Sequence, residues 1–364
     1  MTTTAPAPTK VKRATAASWA GLAVAAPLLV VLALAPYYLD RGMQGSLVTL
    51  FSLVVMASMW NLLAGYGGMV SIGQQAYIGI GAYALVYLTA TVGLDPFVAV
   101  VVTIVIAGLV AVPISFLAFR LSGGYFAIGT WVIAEVVRLV IVQFDSLGAG
   151  AGTSLMAFSD LTPGRRIAYV YWMGLAGVVL AVLVTYLLMR SRVGLGFTAI
   201  RDDDLAAASL GVRVTRSKRL VFVVAAMGTA LAGTMVAANT LRVQPDSVFA
   251  LNWTALMIFI VVIGGIGTVE GPIIGAVVLF ALQQWLADLG TWYLIILGVF
   301  AIVITLFLPR GIWGLISGNG RLRMFPVGYT LVPPAVLRRP PAPTEPDVRE
   351  RAGARSAARP AERS

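Results

Sequence analysis

Apolar residues gather along this chain into ten runs, at approximately 17–38, 46–65, 75–92, 96–119, 124–143, 168–189, 219–238, 253–269, 272–289 and 291–308. A helix rises about 1.5 Å per residue, so about 20 predominantly apolar residues cross the hydrocarbon core of a bilayer. The third, eighth and ninth runs are short or interrupted by glycine, which predicts broken or re-entrant segments among them. The expected fold is all-α: a polytopic membrane protein with about ten transmembrane helices.

The polar gaps between the runs assign their sides. With the N-terminus inside, twenty-one bases lie inside, including Lys10, Lys12, Arg13, the cluster from Arg190 to Arg219 and ten arginines from Arg310 onward. Four lie outside: Arg41, Arg165, Arg166 and Arg242. Positive charge flanking a span is retained on the cytoplasmic side, so both termini are expected to be cytoplasmic. Ala33-Leu34-Ala35 resembles a signal-peptidase site, but Pro36 follows it, and 17–38 reads as an uncleaved first span. Residues 1–16 are expected to be a flexible cytoplasmic N-terminus, and 17–317 the transmembrane domain. The segment 318–364 is a Pro/Arg-rich tail, with seven prolines from 331 onward, too polar to offset the entropy of ordering it.

Composition agrees and narrows the chemistry. Of 364 residues 59% are hydrophobic and 11% charged, against about 25% charged in a soluble domain. There is no His and no Cys, which excludes His/Cys metal sites, Ser-His-Asp triads, thiol nucleophiles and disulfides. Lys10, Lys12 and Lys218 are the only lysines and none follows G-x-x-x-x-G, so any ATP that drives this protein is bound elsewhere. The net charge of +11 would suggest nucleic acid in a soluble protein; here the bases sit beside apolar spans and set orientation.

Two glycine-rich segments interrupt the apolar pattern. In Asn61–Ala84, Gly65, Gly67, Gly68 and Gly73 fall between two spans, with Ser71, Gln74 and Gln75 as the polar groups among them. Irregular backbone at membrane depth survives only where protein or water satisfies its amides, and broken helices of this kind form transporter substrate sites. Small residues that merely let helices pack closely are the other reading, and the preferred one for Gly79 and Gly81. In Ile263–Ala276, Gly264, Gly265, Gly267, Gly271 and Pro272 break a helix around Glu270. No strand precedes it, so it is a tight hairpin between spans rather than a nucleotide-binding loop.

Glu135 and Arg138 stand at i and i+3 inside the fifth run. A lone charge near a helix centre costs about 2.5–3.5 kcal/mol on insertion scales, so a partner is required, and this spacing supplies one on the same face. They read either as a polar lining of a pathway or as an ion pair sealing helices together.

The loop from Arg190 to Arg219 carries Asp202, Asp203 and Asp204, which suit a helix start. Leu205, Ala206, Ala207, Ala208 and Leu210 then predict a short helix, closed by Gly211 as its C-terminal cap. Such a helix is a peg for a groove on a partner, or else a solvated surface loop.

At this loop a resemblance becomes specific. Ala206-Ala207, three residues, then Gly211 fits the cytoplasmic coupling motif E-A-A-x-x-x-G of ABC-importer permeases, with Leu205 in place of the Glu and Asp204 one position early. With it go Ala199-Ile-Arg-Asp-Asp-Asp, Leu210-Gly-Val-Arg-Val-Thr-Arg-Ser-Lys, Gly264-Gly-Ile-Gly-Thr-x-x-Gly-Pro, Asn61-Leu-Leu-x-Gly-Tyr-Gly-Gly, Gly124-Tyr-Phe-Ala-Ile and Pro309-Arg-Gly-Ile. Over roughly 45–318 the chain resembles permeases of the bacterial branched-chain amino acid ABC-transporter family.

That resemblance implies a plasma-membrane permease subunit, not an enzyme, paired with a homologous or identical permease. Two cytoplasmic ATPase subunits carrying ATP and Mg, and an extracytoplasmic substrate-binding protein, would complete the transporter. It implies no cofactor on this chain and no nucleic acid, and that 200–211 dock on the ATPase, with Asp204, Leu205, Ala206, Ala207, Ala208, Leu210 and Gly211 as the coupling residues. Gly67, Gly68, Ser71, Gly73, Gln74, Gln75, Glu135, Arg138, Gly264, Gly265, Gly267 and Thr268 are the candidate pathway residues. Sister permeases carry urea, short amides or other amino acids, so the substrate follows only loosely. Two other classes stay open: an ion-coupled carrier, which usually places more carboxylates within its spans, and a membrane enzyme, which needs a catalytic cluster.

Overall fold

A computed structural model describes residues 10–12, 16–156, 158, 161–286, 292–308, 311–317, 325 and 330–332. The chain divides into two units, 16–327 and a terminal unit of 1–15 with 328–364. In the terminal unit β1 (Lys10–Lys12) pairs antiparallel with β4 (Thr330–Val332), Val11 opposite Leu331. The tail 318–364 otherwise lies outside the described residues, save Phe325.

The larger unit is helical, and every apolar run of the sequence falls on a helix. Its elements are α1 (Ala16–Leu34), α2 (Arg41–Gly67), α3 (Gln75–Ala90), α4 (Pro96–Ala118), α5 (Gly124–Val142), α6 (Pro163–Arg190), α7 (Arg192–Asp202), α8 (Asp204–Ser209) and α9 (Val214–Thr240). There follow α10 (Pro245–Val248), α11 (Leu251–Gly264), α12 (Gly271–Leu286), α13 (Trp292–Phe307) and α14 (Gly311–Ile316). Among the described residues six helical segments are long and apolar enough to cross a membrane: α2, α4, α5, α6, α9 and Pro245–Gly264.

Local chemistry sets the ends. Asp40 caps α2 by accepting from Gly42 N at 2.9 Å and Met43 N at 3.2 Å. Asp95 does the same for α4, accepting from Phe97 N at 2.9 Å, with Pro96 in the first turn where no amide is needed. One short strand pair, β2 (Thr153–Ser154) with β3 (Arg242–Val243), ties the loop before α6 to the loop after α9.

The core is built around α2, which is buried along nearly its whole length from Phe51 to Gly67 and packs on α6, α9, α11 and α12. Lipid tails offer no hydrophobic drive between helices, so close backbone approach holds them instead. Helix α9 is accordingly rich in buried small residues, including Ala225, Ala226, Ala230 and Ala232. A side chain at Gly81 would collide with the Ala230 carbonyl and one at Gly79 with the Phe249 ring, which accounts for both as packing positions.

Candidate functional site

The two glycine-rich segments, some two hundred positions apart in sequence, meet. Asn61 of α2 donates from Nδ2 to the Thr268 carbonyl at 2.7 Å, and its Oδ1 accepts from Gly267 N at 2.8 Å. A Cβ at Gly65 would run into both Asn61 and the Gly267 backbone, so the contact requires glycine there. Arg201 reaches in from α7 and donates to the Gly65 carbonyl at 2.5 Å. Phe197, fully buried, lies against Gly67. Thr268 orders the turn between α11 and α12, donating to the Gly265 carbonyl at 2.8 Å and accepting from Gly271 N at 3.0 Å. Gly311 of α14 closes on Gly264 and Gly265. Glu270, buried in the same turn, accepts from Phe325 N at 2.8 Å.

The first segment is shorter as a break than its composition suggests. Helix α2 continues through Gly65 and Gly67 and ends where Gly68 turns left-handed, at φ +66°. The irregular backbone is confined to 68–74, and protein groups satisfy it. Trp60 Nε1 donates to the Ser71 carbonyl at 2.9 Å, Ile72 N to Thr130 Oγ1 at 3.2 Å, and Gly73 N to Ser71 Oγ at 3.3 Å. Gln75 Oε1 accepts from Thr254 Oγ1 at 2.5 Å and Gln74 Oε1 from Thr229 Oγ1 at 3.2 Å. Gln74 Nε2 is buried without a hydrogen-bond partner among the described residues.

Gly264, Gly265, Gly267 and Thr268 thus share one close-packed turn, which meets α2 at Asn61 and Gly65, whereas Gly67 and Gly68 close α2 against Phe197 and Arg201 of α7. Beside it lies a cavity of about 760 Å³, lined by Gly67, Gly68, Phe126, Arg201, Asp204 and Lys218 among others. Ser71, Gln74 and Gln75 are buried at the entry to α3.

Glu135 and Arg138 form the expected pair, Glu135 Oε1 lying 2.5 Å from an Arg138 guanidinium nitrogen. A third member was not anticipated: Asp246, on α10, contacts the same guanidinium at 3.0 Å. The i, i+3 spacing therefore supplies one of two carboxylates on Arg138. A chain that returns from α9 through β3 carries a carboxylate to the end of α5, a placement that the spacing within one helix does not encode. Nearby, a cavity of about 280 Å³ is lined by Thr49, Asn239, Arg242, Gln244, Ser247 and Trp253, none of them singled out by sequence pattern.

The segment 190–219, read as a long loop with one short helix, is two helices joined by Asp203. Helix α7 is amphipathic and buries Phe197 and Ile200, which explains its order. Asp203 caps α8, accepting from Leu205 N at 2.8 Å and Ala206 N at 3.0 Å. These two amides hold its carboxyl below the usual carboxylate range. Lys218 pairs with Asp204 at 2.5 Å and ties α8 to α9. Gly211 follows the helix with φ +83°, the left-handed cap its position suggested. Leu205 and Leu210 are 80% and 81% exposed, whereas Ala207 is 1% exposed. Ala206, Ala207 and Ala208 therefore do not act alike, since one turn of helix carries Ala207 inward against this chain's own core.

Comparison with known proteins places this arrangement. The family described as "Branched-chain amino acid transport system / permease component" matches residues 42–308. The chain is 28% identical, over 78% of its own length and 73% of the relative's, to the high-affinity branched-chain amino acid transport system permease protein LivM of Salmonella typhimurium, and equally to that of Escherichia coli. It is 26% identical to the autoinducer 2 import system permease protein LsrC of an Enterobacter species, over 76% of this chain and 83% of the relative. No solved structure matches it significantly. With its family match running from the start of α2 to the end of α13, this chain belongs to the branched-chain amino acid transport system permease component family.

Proposed function

We propose that this chain is a permease subunit of a bacterial inner-membrane ABC importer and takes up branched-chain amino acids delivered by an extracytoplasmic binding protein. It acts with a second, homologous or identical permease and two cytoplasmic ATPase subunits, which hold ATP and Mg. Some ten spans place both termini in the cytoplasm.

The observation that carries the ATP-coupled reading is α8. A helix capped at its start by Asp203 and at its end by Gly211 holds two leucines almost wholly in the open. Large apolar side chains so displayed on a polar loop suit burial in a partner's groove. Helix α5 supports a second partner. Glu135 is half-exposed along a span whose other outward residues include Ile128, Val132, Val136 and Leu139. Lipid cannot solvate that carboxylate, so this face is lined by water or by the sister permease.

The test uses the assembled transporter in vesicles. Leu205→Asp with Leu210→Asp is expected to abolish co-purification of the ATPase subunits and leucine-stimulated ATP hydrolysis, while the chain still inserts, because neither side chain packs on its own fold. Retained association and uptake by that variant overturn the coupling assignment. Uptake of autoinducer 2 but not of leucine, isoleucine or valine by the unaltered transporter overturns the substrate, and favours the reading suggested by the likeness to LsrC.

A further inference from the structure

A second feature adjoins α8, whose Ala208 lines one end of it. A groove of about 720 Å³ runs between the last turns of α4 and the first turns of α9. Its walls include Val112 and Phe116 from α4 and Leu220 from α9, all exposed along the two spans. Its rim carries Arg213, just before α9, and Arg216 and Arg219 in the first turns of that helix.

The three arginines are short of counter-charge. Among the described residues none forms a salt bridge; the ion pairs there involve Arg138 and Lys218. The Arg219 guanidinium lies 3.8 Å from the centroid of the Phe116 ring, and its Nε is buried without a hydrogen-bond partner among the described residues. The first turn of α9 has no side-chain cap, so its free amides add to the positive field at the rim.

Position decides what fits. The apolar stretch of α9 begins at Leu220, and that of α4 ends just before Arg120, so the rim stands where hydrocarbon gives way to headgroups. Guanidinium groups bind phosphate through paired donors, and an apolar wall directly below them suits an acyl chain. A free phosphate leaves that wall bare, and a zwitterionic lipid brings its own cation to the rim. We propose that this groove binds an anionic phospholipid, its phosphate held by Arg213, Arg216 and Arg219 and a chain laid along Val112, Phe116 and Leu220. The site requires only that α4 and α9 lie in a bilayer, and is independent of the transported substrate.

The experiment titrates the purified full-length chain, in neutral detergent, with phosphatidylglycerol, phosphatidylcholine or inorganic phosphate, and reads thermal unfolding and lipid adducts by native mass spectrometry. Phosphatidylglycerol alone is expected to remain bound and to raise the unfolding temperature. Replacing the three arginines by Gln should weaken it roughly tenfold or more, since each arginine near a charged lipid surface is worth about fivefold. Val112→Trp, which fills the groove and keeps every charge, should weaken it too. Arg165→Gln with Arg166→Gln, at the far end of α6, should leave it unchanged. Equal protection by inorganic phosphate would mean a small-anion site and overturn the proposal. So would an arginine effect without any Val112→Trp effect, which is diffuse surface attraction. Unchanged lipid binding in the arginine variant, with ATPase subunits lost from it, would make the rim a protein interface instead.

Discussion

Asn61 sits in a span with its donor and its acceptor both engaged by one turn, 267–268. Leaving a buried backbone group bare costs about 1–3 kcal/mol, more than the bond itself contributes. Asn61→Leu uncovers two such groups, the Gly267 amide and the Thr268 carbonyl. Its unfolding free energy in detergent should fall by about 2–4 kcal/mol. An unchanged unfolding curve for Asn61→Leu would show that water takes over both bonds. Much of this was within reach of the sequence. A polar amide inside an apolar run requires a partner, and both glycine segments announce breaks. What the sequence withholds is the pairing: nothing local links Asn61 to Gly267, or Arg201 to the Gly65 carbonyl. The ion pair shows the same limit. The i, i+3 spacing gives Glu135 to Arg138, but Asp246 arrives through a separate stretch of chain. Glu135→Gln therefore leaves Arg138 with one carboxylate still in place.

At the scale of elements, α8 depends on its caps, because six residues are too few to hold a helix by propensity alone. Asp203 does this as a carboxylate whose proton affinity is lowered by the two amides it accepts from. The cap is thus fully present above the ordinary carboxylate range and is lost as pH falls through the lowered value. Hydrogen exchange at Leu205 and Ala206 provides the readout. At neutral pH Asp203→Ala should exchange several-fold faster there, and Asp203→Asn, also a good cap, should not. On acidification the unaltered chain should approach the Ala variant while the Asn variant holds its protection. Equal exchange in all three would mean that packing of Ala207, not the cap, maintains α8. The caps were legible, since acids before and a glycine after a short apolar stretch are local signals. Helix α7 was not: Arg192, Gly194, Gly196 and Thr198 obscure a periodicity that only Phe197 and Ile200 mark.

For the whole molecule, the ten apolar runs marked where helices form, and six of the described helical segments are long and apolar enough to cross a membrane. Their ends shifted where glycine allows a helix to continue, as at Gly65 and Gly67. Loops sort to two ends of the bundle. The turn before α3, the α4–α5 connection around Ser122, and α7–α8 share the cavity beside the glycine turn. The β2–β3 pair joins two of the loops at the other end. Charge then says which end faces the cytoplasm. The absence of native cysteine makes that measurable. A cysteine at Ser154 should react with an impermeant maleimide in intact cells, and one at Ser122 only after permeabilisation. The reverse pattern would invert the whole arrangement.

Helix α7 is fastened to the end of α2 at two points: Phe197 fills the space that Gly67 leaves, and Arg201 hangs from the Gly65 carbonyl. Only Asp203 separates it from α8, and Lys218 moors α8 in turn to α9. A subunit that grips α8 consequently takes hold of a stiff handle, one residue away from the knot where α2, α11, α12 and α14 are tied. A pull there has little slack to take up before it shifts the helix at the centre of the bundle.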